Sequence, residues 1–302
     1  MNGPGGSKRL RHRLEYVALR AVIAVCRAVP AGVADRLGAG LGWVVARVWR
    51  PRWDVVMRQL RMAFPGADEG WLRRVARRSY VHFCAEAVGM FRLVGARRDE
   101  ILGRTRLNGE EVLLEAAREG RGVMLVSGHL GNWEVGTAGV LARGYSMDIV
   151  AARQRNVLFD RYLTRSRERL GMRVIPREAA RRGVPAALKR GRLVGIMGDQ
   201  DARRAGIFVD YFGRPASTAR GPAVLSMRAG ATVATFYTIR RAGWKPRYDI
   251  HIERLKAAEG GRGRAAASAL TQAFTARLEE RVRQHPQQYL WHHRRWKTPP
   301  PR

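Results

Sequence analysis

The chain has 302 residues, 46% of them hydrophobic. That is enough length for one large or two small domains and enough apolar content for a full core, which excludes a disordered tail. Fifty-seven basic residues, 52 of them arginine, stand against 25 acidic ones and leave a net charge of +32. Such a field selects an acidic partner: nucleic acid, anionic lipid or an acidic protein. Two cysteines, Cys26 and Cys84, are too few for a disulfide framework or a multi-cysteine zinc module.

Residues 1–13 are Gly-rich and then basic, and are expected to be disordered. Residues 14–29 and 32–49 read as two helices broken by Pro30 and Gly32. No uncharged apolar run here reaches the roughly eighteen residues of a spanning helix. No cleavable signal peptide is expected either. Up to Arg61 there are 12 basic and 3 acidic residues. Apolar bulk together with positive charge is expected to lie in a membrane interface, arginines reaching the headgroups; the plain alternative is a helical pair packed on the domain. A third helix is predicted over 54–63, ending before Pro65. A long one covers 69–94, with Tyr80, Cys84, Ala87, Val88 and Phe91 near one face.

Beyond Gly103 the texture changes. Short apolar runs at 123–126, 148–151, 173–175, 193–197, 231–239 and 247–252 alternate with helical stretches at 109–119, 132–143, 156–170, 178–190 and 218–229. That is the pattern of an α/β fold with a mixed, mostly parallel sheet flanked by helices. Residues 257–264 read as a flexible loop, and 265–284 as a last helix before a tail rich in Trp, His and Arg. The expected organisation is an N-terminal basic segment (1–62), a catalytic domain (63–297) and a short tail (298–302).

The sharpest local feature is VMLVSGHLGNWEVG at 123–136. Glycines on both sides of His129 indicate a tight turn after a strand, where α/β sheets place their ligands. Asn132 can cap the following helix. Glu134 can fold back to the imidazole, fix its tautomer and leave the other nitrogen as a base. The bland reading is a capping Asn, a Glu favoured by the helix dipole and a His bonded locally. Asp199 and Gln200 follow the run at 193–197; they can bind acceptor hydroxyls, hold Arg153, or merely form a turn. Asp201 opens a metal reading with His129 and Glu134. The ending YLWHHRRWK suits nucleic acid, through stacking and phosphate contacts, or equally a membrane interface.

His129-x4-Glu134 resembles the His-x4-Asp/Glu motif of the glycerolipid acyltransferase superfamily. ARQRN at 152–156, GDQD at 198–201, GIFVDYFGRPASTARGPAVLSMRAGA at 206–231 and HPQQYLWHHRRWK at 285–297 follow in order. Along nearly its whole length the chain resembles the late, lauroyl/myristoyl-type acyltransferases of lipid A biosynthesis. The resemblance implies a glycerolipid-acyltransferase-like fold with membrane-associated N-terminal helices, on the cytoplasmic face of the inner membrane, peripheral or monotopic. It implies an enzyme without cofactor or metal that moves an acyl chain from acyl carrier protein or acyl-CoA to a hydroxyl of a lipid A precursor or related glycolipid. His129 would be the base and Glu134 its orienter. Arg153, Asn156, the amides of Gly131 and Asn132, Asp199 and Gln200 would serve substrate and oxyanion. Gly213 would make a sharp turn and Thr218 cap the helix after it. The same superfamily includes phosphatidylinositol-mannoside and lysophospholipid acyltransferases. From other classes, a basic nucleic-acid-binding α/β protein would explain the charge but not the HLGNWE turn; nucleic acid is not an expected partner. A hydrolase using His129, Glu134 and Asp199 on a metal is the third reading.

Overall fold

The computed structural model describes residues 5–93, 95–243, 245–256 and 263–301. Helix α1 (Gly5–Ala28) already begins inside the stretch expected to be disordered; residues 1–4 of that stretch lie outside the described residues. Pro30 separates it from α2 (Ala31–Val44), which runs into a π-helical turn (Val45–Trp49) and stops where Arg50 adopts a left-handed φ of 46°. Helix α3 (Trp53–Ala63) turns Val55, Val56, Met57, Leu60 and Ala63 inward, and Pro65 follows its end. Helix α4 (Glu69–Leu93) carries α2 along its length. The two approach closely because Gly42 presents no side chain: a Cβ there would lie 2.6 Å from Val81 Cα.

The remaining elements are α5 (Arg98–Arg104), β1 (Thr105–Asn108), α6 (Glu110–Arg118), β2 (Val123–Ser127), α7 (Trp133–Ala142), β3 (Met147–Ala151), α8 (Val157–Arg169), β4 (Arg173–Pro176), α9 (Ala180–Lys189), β5 (Leu193–Met197), β6 (Ile207–Asp210), β7 (Pro215–Thr218), α10 (Gly221–Ala229), β8 (Thr232–Arg240), β9 (Tyr248–Arg254) and α11 (Gly263–Gln284). Seven strands form one sheet in the order β1-β9-β8-β2-β5-β3-β4. All pairs are parallel except β8–β9. Strand β2 is central and buried throughout, and its residues alternate between two cores. Met124 and Val126 join the core that includes residues of α3, α4, α9, α10 and α11, while Val123 and Leu125 join the one under α6 and α7.

Several expectations change. Strands β1 and β7 carry no apolar run, and the short Ile207–Val209 run of β6 stands next to a turn; none of the three is expected as a strand. The helix expected from 218 starts at Gly221, so Thr218 lies at the end of β7 and caps nothing; its hydroxyl meets Ala216 O at 3.1 Å and the Arg295 guanidinium. Gly213 stands at φ 68° in the two-residue turn between β6 and β7, beside Phe212 at φ 57°. Of the loop expected at 257–264, residues 257–262 lie outside the described residues, while 263–264 open α11. Most of the C-terminal tail's rings are packed inward rather than presented to solvent. Tyr289, Trp291 and Arg295 are buried, and the Trp291 ring packs edge-on to Tyr289, Phe64 and Phe212. Among the described residues no helix is long and apolar enough to cross a membrane.

Candidate active site

Strands β2 and β5 are parallel neighbours with Ser127 opposite Met197. Each is followed by a glycine, and Gly198 N donates to Ser127 O at 2.8 Å. His129 therefore lies two residues beyond β2, level with Asp199 two residues beyond β5. Both Asp199 oxygens serve the histidine: Oδ2 accepts from the His129 amide at 2.8 Å, and Oδ1 lies 2.7 Å from Nδ1. The contact assigns the proton to Nδ1 and leaves Nε2 as an acceptor. Facing Nε2 is the Gln200 side-chain amide at 3.4 Å, and the Trp133 ring stands edge-on to the imidazole at 5.0 Å.

The electrostatics follow from burial. Desolvation works against an imidazolium at His129, but the charge of Asp199 and its hydrogen bond outweigh it, so the pKa is raised above 6.5. Burial likewise opposes the Asp199 carboxylate. The His129 charge, the two His129 hydrogen bonds and the more distant Arg295 overcome that and hold it at about 2.

The turn itself is held by backbone. Gly131 stands at φ 65°, and a Cβ there would come within 1.7 Å of Thr238 O, so only glycine fits. Gly131 N donates to Gln288 O at 3.0 Å, Asn132 N to Thr238 O at 3.1 Å, and Leu290 N to His129 O at 3.0 Å. The buried tail thus clamps the turn from behind. Asn132 caps α7 by accepting from Val135 N at 3.1 Å, as its position predicts.

Other expected contacts are replaced. Glu134 does not reach His129: it is buried and paired with Arg167, whose Nε lies 3.1 Å from Oε1. As the second residue of α7 it faces α8, where that guanidinium waits. The Gly131 and Asn132 amides are spent on Gln288 and Thr238 and are not free for an oxyanion. Arg153 is exposed and pairs with Glu178 at 2.8 Å rather than with Asp199. Asn156 caps α8 through Leu158 N and Phe159 N and donates to His12 O and Glu15, so it ties α8 to α1. His129, Glu134 and Asp199 do not converge, and among the described residues no group of three His, Cys, Asp or Glu stands close enough to hold a metal ion. Asp201 instead accepts from Thr298 Oγ1, and its amide donates to His293 Nε2 at 3.0 Å.

His129, Gln200 and Ser127 stand at the lip of a cavity of about 350 Å³ between the sheet and α7. Leu125, Ile149, Phe236, Met147 and Gly195 form an apolar sheet-side wall, while Thr137, Glu134 and Arg167 line it from α7 and α8. The parallel register stacks these in rows, Leu125 and Ile149 both opposite Gly195 on β5. A Cβ on Gly195 would meet Met147 Cε at 2.5 Å, so the methionine lies across the glycine and closes the bottom.

The sequence profile of the family described as bacterial lipid A biosynthesis acyltransferase matches residues 4–298. The chain belongs to that family. It is an acyltransferase. It is 28% identical over 283 residues to the lipid A biosynthesis lauroyltransferase of Escherichia coli (strain K12), which covers 90% of this chain and 88% of the relative. The lipid A biosynthesis palmitoleoyltransferase of the same organism is 30% identical over 64% of this chain and 62% of its own length. A phosphatidylinositol mannoside acyltransferase of Mycobacterium tuberculosis (strain H37Rv) is 28% identical over 67% of this chain and 60% of its own length. With the last two the match spans about three fifths of the relative. A weak signal for Asp199 as partner of His129 stood in the sequence. GH at 128–129 and GD at 198–199 each follow a five-residue stretch, VMLVS and LVGIM, and if those strands are parallel neighbours in register the two side chains come level; the register itself is decided by the fold. Arg167 carried no such mark among 52 arginines.

Proposed function

We propose that this acyltransferase moves a fatty acyl chain from a thioester to a hydroxyl of an anionic glycolipid, a lipid A precursor or a related phosphoglycolipid. The observation that carries the reading is the His129–Asp199 pair beside a cavity whose sheet-side wall is apolar. The cavity takes the acyl chain and holds the thioester carbonyl at the lip. Nε2 of neutral His129 accepts the proton of the acceptor hydroxyl as its oxygen attacks the carbonyl carbon. Asp199 stabilises the imidazolium that forms. Collapse of the tetrahedral intermediate breaks the C–S bond, and the departing thiolate takes the proton from His129. The Gln200 amide, beside Nε2, is positioned to donate to the oxyanion. Glu134 and Arg167 hold the cavity wall rather than the base.

The donor is the thioester of acyl carrier protein or of CoA; both carry negative charge that suits a +32 surface. The protein works at the cytoplasmic face of the inner membrane, lying on it. Of the fifteen large hydrophobic side chains exposed among the described residues, twelve fall between Leu10 and Trp49, with Val48 and Trp49 more than three-quarters exposed. An amphipathic, basic segment of this kind enters the headgroup region without crossing.

The test is acyl transfer from acyl carrier protein and from acyl-CoA, in parallel, to an acyl-deficient lipid A precursor and to a phosphatidylinositol mannoside. Transfer by the wild type that collapses in His129→Ala supports the reading, and the preferred pair names donor and acceptor. Transfer that survives the substitution removes His129 as the base.

A further inference from the structure

Glu86 lies on α4, outside the catalytic cavity, and is buried. Three donors surround its side chain. Oε2 accepts from Asn132 Nδ2 at 2.6 Å and from Tyr248 Oη at 3.0 Å; Oε1 accepts from Arg240 Nη1 at 3.0 Å, with His82 Nδ1 farther off at 3.9 Å. The same Arg240 guanidinium donates to Asp35 Oδ1 of α2 at 2.7 Å. A buried carboxylate is held there only if its partners compensate for lost water. Here they come from three elements, the cap of α7, β8 and β9, and one of them, Asn132, is the residue that caps α7 and closes the His129 turn.

We propose that Glu86 is a positioning residue for the catalytic turn and that, through Arg240 and Asp35, it ties helix α2 to that turn. The path is continuous: the carboxylate of Asp35, the guanidinium of Arg240, the carboxylate of Glu86, the side-chain amide of Asn132, then the turn. The outer face of α2 carries Leu37, Leu41 and Trp43, each more than half exposed. Whatever seats that face sets the position of α2, and the charged chain conveys the position to Asn132. Glu86 touches no reacting atom; its effect is on where the His129 imidazole stands relative to the cavity lip. Replacing it with Gln keeps its volume but sets an NH2 group against the Asn132 amide or Arg240, and one donor loses its acceptor.

The kinetic half of the test rests on the acyl-transfer reading; the exchange half does not. In the full-length protein, Glu86→Gln lowers kcat about 10- to 100-fold with donor KM within twofold, at a temperature where thermal unfolding shows it folded. The acid limb of the pH profile stays at its wild-type position, because the His129–Asp199 pair is untouched. Adding Asn132→Asp to Glu86→Gln reverses the amide–carboxylate pair while keeping an oxygen for the cap, and restores most of the lost kcat, whereas Asn132→Asp alone sets two carboxylates together and is impaired. Asp35→Asn lowers kcat about threefold to tenfold and is non-additive with Glu86→Gln. Amide exchange, which needs no substrate, shows Glu86→Gln losing protection at Leu130, Gly131 and Asn132 while β2 and β5 keep theirs. Wild-type kcat and exchange in Glu86→Gln, or losses that add in the Glu86/Asn132 pair, would overturn the positioning role. Additive Asp35 and Glu86 effects would overturn the tie to α2. A wild type that transfers no acyl chain counts against the function proposed above, and the exchange data then still decide the positioning of the turn.

Discussion

At the scale of single residues, the proposed site is a base and the charge that orients it. As the proposed base His129 acts when neutral, and its pKa is raised above 6.5 by Asp199 against the pull of burial. Activity therefore rises with pH through one ionisation above 6.5, read as the acid limb of kcat. Asp199→Asn removes the charge, so that limb moves to lower pH while kcat falls roughly 10²- to 10⁴-fold, the usual worth of a positioned general base. The pair also has a stability signature. The raised pKa of His129 stabilises the fold fully below the ordinary histidine range, and that contribution is lost as pH rises through the native value. The depressed pKa of Asp199 stabilises above the ordinary carboxylate range, and is lost as pH falls toward about 2. The pair thus contributes most in mildly acid solution, and in urea titrations across pH 4 to 8 the stability gap between wild type and Asp199→Asn should narrow towards the alkaline end, where the His129 part is lost and the Asp199 part remains. Glu134 belongs to a different kind of pair. With both side chains largely buried, Glu134→Ala strands the Arg167 guanidinium and costs about 3–5 kcal/mol of stability, measured by denaturant unfolding. A Glu134 that oriented His129 would instead move the pH profile.

Elements decide which of these residues meet. His129 and Asp199 come together because β2 and β5 are adjacent, parallel and in register, and the Gly–His and Gly–Asp steps extend both strands by the same amount. The apolar runs of β2, β3, β4, β5, β8 and β9 were legible, since a buried parallel strand needs Val, Ile and Leu on both faces. The order of those strands was not, because any run can pair with any other until the crossovers pack. Strand β1, TRLN, escaped for a local reason: it has one apolar residue and takes its place by pairing with β9. The register also shapes the cavity. From the Ser127–Met197 row to the Leu125–Gly195 row is about 7 Å, and Met147 lies one row deeper. Gly195→Val fills the middle row. It should shift the preferred donor to acyl chains several carbons shorter, measured as kcat/KM over a chain-length series, with His129 chemistry intact. An unchanged preference would show that the chain lies elsewhere.

At the scale of the whole molecule, charge and exposed apolar surface coincide at the N-terminal helices. Vesicles containing anionic lipid should bind the protein, and binding should weaken as salt rises past 0.15 M because the Debye length falls below about 8 Å. Leu37→Asp with Leu41→Asp places two carboxylates on the exposed face of α2 and should lower vesicle affinity at least tenfold, while thermal stability changes little, since neither side chain is in the core. The C-terminal tail teaches the opposite lesson. Its Trp, Tyr, His and Arg looked like a surface for stacking or for lipid, yet Trp291 is 1% exposed and Arg295 2%. Composition cannot distinguish an interfacial aromatic cluster from a buried one, because both need rings with a polar handle. Only the packing of the tail against α3 and the β6–β7 hairpin separates them: Gln59 Nε2 donates to Trp291 O at 2.8 Å and Arg295 Nη1 to Ser217 O at 2.7 Å.

The sequence by itself determined what short-range chemistry can determine. That includes the α/β alternation, the glycine-flanked His129, the Asn132 cap, the basic apolar N-terminus and the resemblance to a family of acyltransferases. The tertiary structure alone decided the partnerships. Asp199 rather than Glu134 meets His129, Arg167 holds Glu134, the turn amides are spent on Thr238 and Gln288, and Glu86 accepts from Asn132. Side chains five residues apart on one turn meet only if the backbone between them folds back. Side chains seventy residues apart meet whenever two parallel strands share a register, and register is a property of the whole sheet.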